Sequence, residues 1–289
     1  MIEWLNIVLQ GALLGGLYAL FAAGLSLMFG VMRIVNIAHG DLIVLAAYIA
    51  LVVVRWSGFG ALESLPVVAV LMFALGYALQ RGLLNFTLGA DVLPPLLVTF
   101  GLSVIIENGL QEIFSADPQR LQAGRLDIAS LSLGGGLAVG WLEVIVFATA
   151  VVVIAALEAL LYRTAIGRAF RATSDDADTA RLYGVDTRHV FALATAISLA
   201  VVSVAGVLLA IRTTFEPSIG PARLIYAFEA VIIGGLGSLW GTLVGGVILG
   251  VAQSIGIVLN PAWDLLAGHV VFLLVLVLRP RGLFPKTAD

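Results

Sequence analysis

The chain has 289 residues, of which 61% are hydrophobic and only 11% charged, with a formal net charge of -3. Soluble domains carry about 25% charged residues, so this composition, with a mean hydropathy of +1.10, excludes them and defines a polytopic membrane protein. The absence of cysteine excludes disulfide frameworks, thiolate-bound zinc and thiol chemistry.

Apolar runs of roughly 17–25 residues can cross the hydrocarbon as helices. They occur at 7–29, 37–54, 66–84, 96–114, 141–162, 190–211 and 263–278. The first run lacks a basic leader and a cleavage site, so it reads as a retained span and not as a signal peptide. One further apolar stretch, 227–258, is longer than one span and shorter than two, and is interrupted by GGLGSLWG at 234–241. The expected fold is therefore an all-α polytopic membrane protein, with about seven full spans plus a re-entrant or short-helix hairpin near 227–258. The whole chain, 1–289, reads as a single transmembrane domain.

Orientation follows from the polar loop 163–189, which holds Arg163, Arg168, Arg171, Arg181 and Arg188 among only fifteen basic residues. Basic excess marks the cytoplasmic side. Counting spans from there puts Arg33 and 81–94 inside, with 57–65, 116–140 and 212–225 outside. The tail, with Arg279, Arg281 and Lys286, belongs inside as well. Both ends agree only if 227–258 enters and returns on the same face.

The loop predicts a short helix with Ser174 as its cap, Asp175 and Asp176 near its positive end and Gly184 as its terminator. Along one helix Thr173, Ala177, Ala180 and Gly184 fall on a single small-residue stripe beside Tyr183. Two readings stand open: a plug for another protein's groove, or a connector lying on its own bundle.

Two interrupted segments mark a candidate substrate path, since irregular backbone at membrane depth needs cover from protein or a water-filled cavity. They are RIVNIAHGDL at 33–42, with Asn36 and His39, and the glycine-rich 234–241, with Gly234, Gly235 and Gly237. The glycines at 237, 241 and 245, and at 246 and 250, also have the spacing of closely packed helices. Thr99, Ser103, Glu107 and Asn108 add polar groups on one span, serving either a conduction path or an interhelix pair. His39 and Asp41 beside Gly40 are a site or helix caps, with capping favoured for Asp41. Glu158 reads as an interfacial partner of the loop arginines, and Glu229 as a counter-charge to the hairpin's N-terminal dipole.

Catalytic residues and metal sites are not expected. The three histidines lack ligand spacing, and the only lysine, Lys286, stands too near the end for a phosphate-binding loop. Three classes remain: an ATP-driven permease with a separate motor, a secondary transporter relaying protons through Glu107, Asp41 or His39, and a scaffold or channel subunit. The missing motor together with the loop helix favours the first.

These segments also carry a resemblance. GLYALFAAGLSLMFGVMRIVNIAHGDLIVLAAYIA (16–50), LVTFGLSVIIENG (97–109), the loop from Tyr162 onward, AFEAVIIGGLGSLWGTLVGGVILG (227–250) and RPRGLFP (279–285) closely resemble branched-chain amino acid ABC transporter permeases of the LivH type. The resemblance implies a bacterial inner-membrane subunit paired with a second, homologous permease. It also implies two cytoplasmic ATPase subunits, a periplasmic solute-binding protein, the lipid bilayer around it, and no nucleic-acid partner. No cofactor is expected on this chain, with ATP and Mg belonging to the ATPase subunits. The loop resembles the family's ATPase-coupling helix, which here involves Arg168, Thr173, Asp176, Ala177, Ala180, Arg181 and Gly184. Substrates implied are branched-chain amino acids, or else urea, short amides or aromatic carboxylates.

Overall fold

A computed structural model describes residues 2–89, 91, 93–134 and 137–285. The chain is an all-α multi-pass bundle, and eight of its helical stretches are long and apolar enough to cross a membrane. In chain order the helices are α1 (Ile2–Met32), α2 (His39–Ser57), α3 (Leu65–Gly82) and α4 (Leu93–Phe114), followed by α5 (Trp141–Arg163). Two short helices, α6 (Ala165–Asp175) and α7 (Ala177–Leu182), occupy the central loop. Then come α8 (Thr187–Arg212), α9 (Gly220–Gly234), α10 (Leu239–Leu259) and α11 (Asp264–Leu278); all but α6, α7 and α9 belong to those eight. A small antiparallel hairpin, β1 (Ser130–Gly134) with β2 (Leu137–Gly140), sits in the long loop before α5.

Helix α1 is the axis. In lipid there is no hydrophobic gain from bringing helices together, so association depends on close backbone approach. Gly11 and Gly15 of α1 face Gly246 and Gly250 of α10, and a Cβ on Gly246 would lie 2.6 Å from the Gly15 carbonyl oxygen. The repeated glycines read from the sequence thus act mainly as packing surfaces. Helix α8 is the second central element, meeting α1 at Gly24, α3 at Gly76 and α2 through its own Gly206. By contrast α11 turns almost all its apolar surface outward, with 6% of its span buried against 83% for α8.

The two ends of the bundle sort as the charge pattern predicts. At the loop end, Ser174 Oγ donates to the Gly30 carbonyl (2.7 Å), Arg81 faces Asp186 (3.6 Å) and Asn85 donates to the Arg188 carbonyl (3.2 Å). The C-terminal segment joins them, with the amides of Leu283 and Phe284 donating to the carbonyls of Ile233 and Gly234, both at 2.9 Å. Lys286 lies outside the described residues. At the far end, Arg55 donates to Gln119 (2.8 Å), and Gln119 exchanges backbone hydrogen bonds with Phe215.

The hairpin near 227–258 is present, with one short arm and one full one. Helix α9 has 15 residues and α10 has 21, and both Gly235 and Gly237 in their turn take positive φ. The turn does not stop midway: it reaches the loop end beside Gly30 and the C-terminal segment. Hydropathy placed its start too late because Arg223 lies in the first turns of α9, where its guanidinium stacks over Tyr226 at 5.8 Å.

Gly246→Leu is expected to lower the chain's stability in detergent by about 1–3 kcal/mol through overpacking against α1. Gly101→Ala, where a Cβ meets nothing within 4 Å, should leave thermal unfolding unchanged. Equal melting of the two variants would contradict the α1–α10 contact.

Candidate substrate path and docking helices

Helix α1 ends at Met32, and the φ of 56° at Arg33 turns the chain back into the bundle. Residues 33–38 are irregular, so their polar groups need partners within the protein. Asn36 Oδ1 accepts from the Ala38 amide (3.0 Å) and the Asn36 carbonyl from the His39 amide (3.2 Å). Thr99 Oγ1, on α4, accepts from the Ile37 amide (3.2 Å) while donating to the Pro95 carbonyl (2.9 Å). His39 Nε2 donates to the Phe21 carbonyl of α1 (2.7 Å).

Asp41 completes this seam. Its Oδ2 accepts from Ser103 Oγ (2.5 Å), near the middle of α4, and its Oδ1 lies against Gly220, the first residue of α9. A Cβ at Gly220 would overlap that oxygen, and one at Gly40 would overlap the Gly220 carbonyl. The N-termini of α2 and α9 therefore converge on one carboxylate, the favourable sign for two positive helix ends. Neither His39 nor Asp41 caps a helix as expected: α2 has no side-chain cap, because both residues lie inside its first turn and are directed to α1 and α4.

Of the expected path residues, the structure brings Asn36, His39, Thr99 and Ser103 together, all 8% exposed or less. Glu107 lies one turn beyond Ser103, partly buried. Asn108 does not join them; it is exposed and donates back to the Val104 carbonyl of its own helix (2.8 Å). Gly234 and Gly235 are also elsewhere. Gly234 packs against Gly241, and Gly235 is covered by Phe284 and Pro285, so both serve close packing. Gly237 lines a cavity of about 760 Å³ at the loop end.

A second polar layer was not anticipated. Glu229 lies well inside α9 and pairs with His269 of α11, so it is not a counter-charge at a helix start. Beside it, Tyr18 is hydrogen-bonded to Gln253, and the rings of Tyr18 and Tyr226 are 4.9 Å apart. The signal was available: Gln253 and His269 are isolated polar residues within apolar spans, which are functional or structural candidates by default.

The loop contains two helices where one was expected. Thr164 caps α6 by accepting from the Gly167 amide (3.1 Å). Asp176 caps α7, accepting from the amides of Asp178 and Thr179 (both 3.0 Å) and from Thr179 Oγ1 (2.6 Å). Ser174 is therefore not the cap. Gly184 ends α7 with φ of 85°, as expected.

The break at Asp176, whose φ is -153°, destroys the single register on which the small-residue stripe was drawn. Thr173 and Ala180 are buried in this chain, Ala177 is half-buried, and only Gly184 is exposed. On two separate helices these residues no longer share one face. The side chains that project are Leu182 (87% exposed) and Tyr183 (86%), with Arg168 exposed on α6. Arg181 pairs with Asp178 at 3.1 Å and donates to Thr187 Oγ1 at 2.7 Å.

An all-helical bundle with eight candidate spans and a buried polar seam at a broken helix defines a multi-pass membrane protein. The chain belongs to the branched-chain amino acid transport system/permease component family, whose model matches residues 7–278. It is 28% identical to the high-affinity branched-chain amino acid transport system permease protein BraD of Pseudomonas aeruginosa, over 98% of this chain and 96% of that protein. It is 27% identical to the corresponding permease protein LivH of Escherichia coli, with the same shares covered. The autoinducer 2 import system permease protein LsrC of Escherichia coli is 30% identical over 75% of this chain and 64% of its own length. No solved structure matches the chain significantly.

Ser103→Ala should cost about 1–3 kcal/mol of stability by leaving buried Asp41 without its hydroxyl partner. Thermal unfolding beside wild type checks this; an unshifted midpoint would remove Ser103 from the seam. A pH response follows at α7. The Thr179 hydroxyl, then the Thr179 amide, hold the Asp176 carboxyl below its usual range. Its contribution is complete above the ordinary carboxylate pKa and is lost as pH falls through the lowered one. A spin label at Tyr183 should gain mobility over that window, and Asp176→Asn should flatten the response.

Proposed function

We propose that this chain is the permease subunit of a binding-protein-dependent importer in the bacterial inner membrane. It carries branched-chain amino acids or a related small solute inward, with ATP and Mg held by two cytoplasmic ATPase subunits docked on α6 and α7. A second, homologous permease completes the membrane unit, and a periplasmic solute-binding protein delivers the substrate. The observation carrying this reading is α7 itself: a capped helix that holds Leu182 and Tyr183 out from the bundle. Exposed aromatic and aliphatic anchors on a rigid support are what a partner's pocket grips.

Arg168 and Arg181 supply charge at the rim, whereas Thr173, Ala177 and Ala180 support the helices from behind. Asp176 and Gly184 set the two ends of α7. Asn36, His39, Thr99 and Ser103 form the seam that gates the path, with Glu107 at its margin. Gly237, against Gly30 at the loop end, lies outside that seam. The names of BraD and LivH favour branched-chain amino acids as cargo. That of LsrC, an autoinducer 2 import permease, supports a family scaffold open to other small solutes.

Leu182→Asp combined with Tyr183→Asp is expected to cut ATP-dependent uptake by roughly tenfold or more in proteoliposomes carrying all subunits, the scale of losing interface anchors. The folding of the permease should be unaffected, since both side chains are exposed. Undiminished uptake would remove α7 from the docking site. A protonophore should leave uptake intact while ATP is present; collapse would instead favour proton coupling.

A further inference from the structure

The cavity of about 760 Å³ at the loop end lies where α1 finishes, α5 meets α6 and the α9–α10 turn comes round. Its upper wall is apolar, formed by Leu27 of α1, Leu161 of α5 and Leu236 in the turn. Its rim is polar and carries Arg33, Arg171 and Asp175. Arg171 is fixed from behind, with one guanidinium nitrogen donating to the Leu161 carbonyl and the group stacked 4.9 Å over the Tyr162 ring. A guanidinium has five N–H donors, so most of its capacity is left for a ligand. Arg33 is exposed, and among the described residues its side chain has no hydrogen-bond or ion-pair partner. Deeper in, Ser26 is 1% exposed and lines the same cavity, yet its Oγ has no hydrogen-bond partner. A buried hydroxyl left unpaired is unfavourable, so its place in this wall points to a polar group entering from the cavity.

We infer that this cavity binds one anionic phospholipid headgroup, specifically that of phosphatidylglycerol. The rim's two arginines and one aspartate leave a single positive charge, which matches one phosphodiester without a compensating cation. Arg33 and Arg171 hold the phosphate, Asp175 and Ser26 take the glycerol hydroxyls, and the acyl chains leave along the apolar wall. Basic pockets between spanning helices at the membrane surface are suited to this recognition. The inference is independent of what the permease transports.

The test is native mass spectrometry of the full-length chain in detergent, titrated with phosphatidylglycerol, phosphatidylcholine or inorganic phosphate. Wild type should retain one phosphatidylglycerol, favoured over phosphatidylcholine by roughly tenfold, as expected for charge-assisted hydrogen bonds. Arg33→Asn, which keeps a residue tolerant of positive φ, should lower that preference to near unity with an unchanged melting midpoint. Ser26→Leu, which fills the cavity from α1, should do the same by a different route. Equal retention of the two lipids by wild type, or full phosphatidylglycerol retention in both variants, would overturn the assignment. So would displacement of the lipid by an equal concentration of inorganic phosphate, which would identify a free-anion site.

Discussion

Two helices begin inside the bundle, and a single carboxylate sits where their first turns meet. The opening amides of α2 and α9 have no intrahelical acceptors, and their positive ends would repel one another across the small gap between Gly40 and Gly220. Asp41 places negative charge at that junction and is itself held by Ser103. The local geometry follows from this arrangement. Gly40 and Gly220 admit no side chain because the two backbones are in contact. The return segment 33–38 runs inside the protein to reach this point, and Asn36, Thr99 and His39 absorb its polar groups and anchor its end.

The surrounding helices hold that junction by backbone proximity. Helix α1 lies along α10 through paired glycines and meets α8 at Gly24, and α8 in turn receives α2 and α3. Every element bordering the seam, apart from α4, is thus gathered by a glycine contact. Helices α4, α5 and α11 leave most of their apolar surface outward. Such a construction keeps the inner layer fixed while its outer faces meet lipid or other subunits, an economy that suits one component of a larger transport system.

Much of this was legible in the sequence, for reasons that differ by element. The spans were readable because hydrocarbon thickness imposes a length on every crossing. The division of loops between two ends was readable because arginine placement and parity constrain each other, down to the need for 227–258 to return to its starting face. The motif around Asn36 and His39 was marked by polarity inside an apolar context. What failed depended on register and on partners distant in sequence. The stripe from Thr173 to Gly184 assumed one continuous helix, and an aspartate at 176 that caps as readily as it lies mid-helix broke it into two. Gly234 and Gly235 looked like an interrupted path, but the segment that covers Gly235 arrives from residues 284–285. Periodicity carries no trace of such a contact. Asp41 was read as a cap from its position before an apolar run; its true partners, on α4 and α9, could come only from the fold.

The loop end and the seam are joined by two struts with neighbouring feet. One is α1, gripped at Gly30 by Ser174 of α6 and bonded at Phe21 to His39, about 13 Å further along the helix at 1.5 Å per residue. The other is α9, whose C-terminal turn brings Gly237 against Gly30 and whose first residue lies on Asp41. A displacement of α6 would therefore act on both struts at once, because their feet touch. It would shift His39 and Gly220 relative to α4, which holds Ser103 and Thr99 and is not bound to either foot. Coupling between distant sites requires an element that both sites bias, and the α2–α9 junction is the element that both struts reach. The cavity bearing Arg33 and Arg171 opens between these same feet, so a lipid headgroup seated there would brace the struts at the point where force enters.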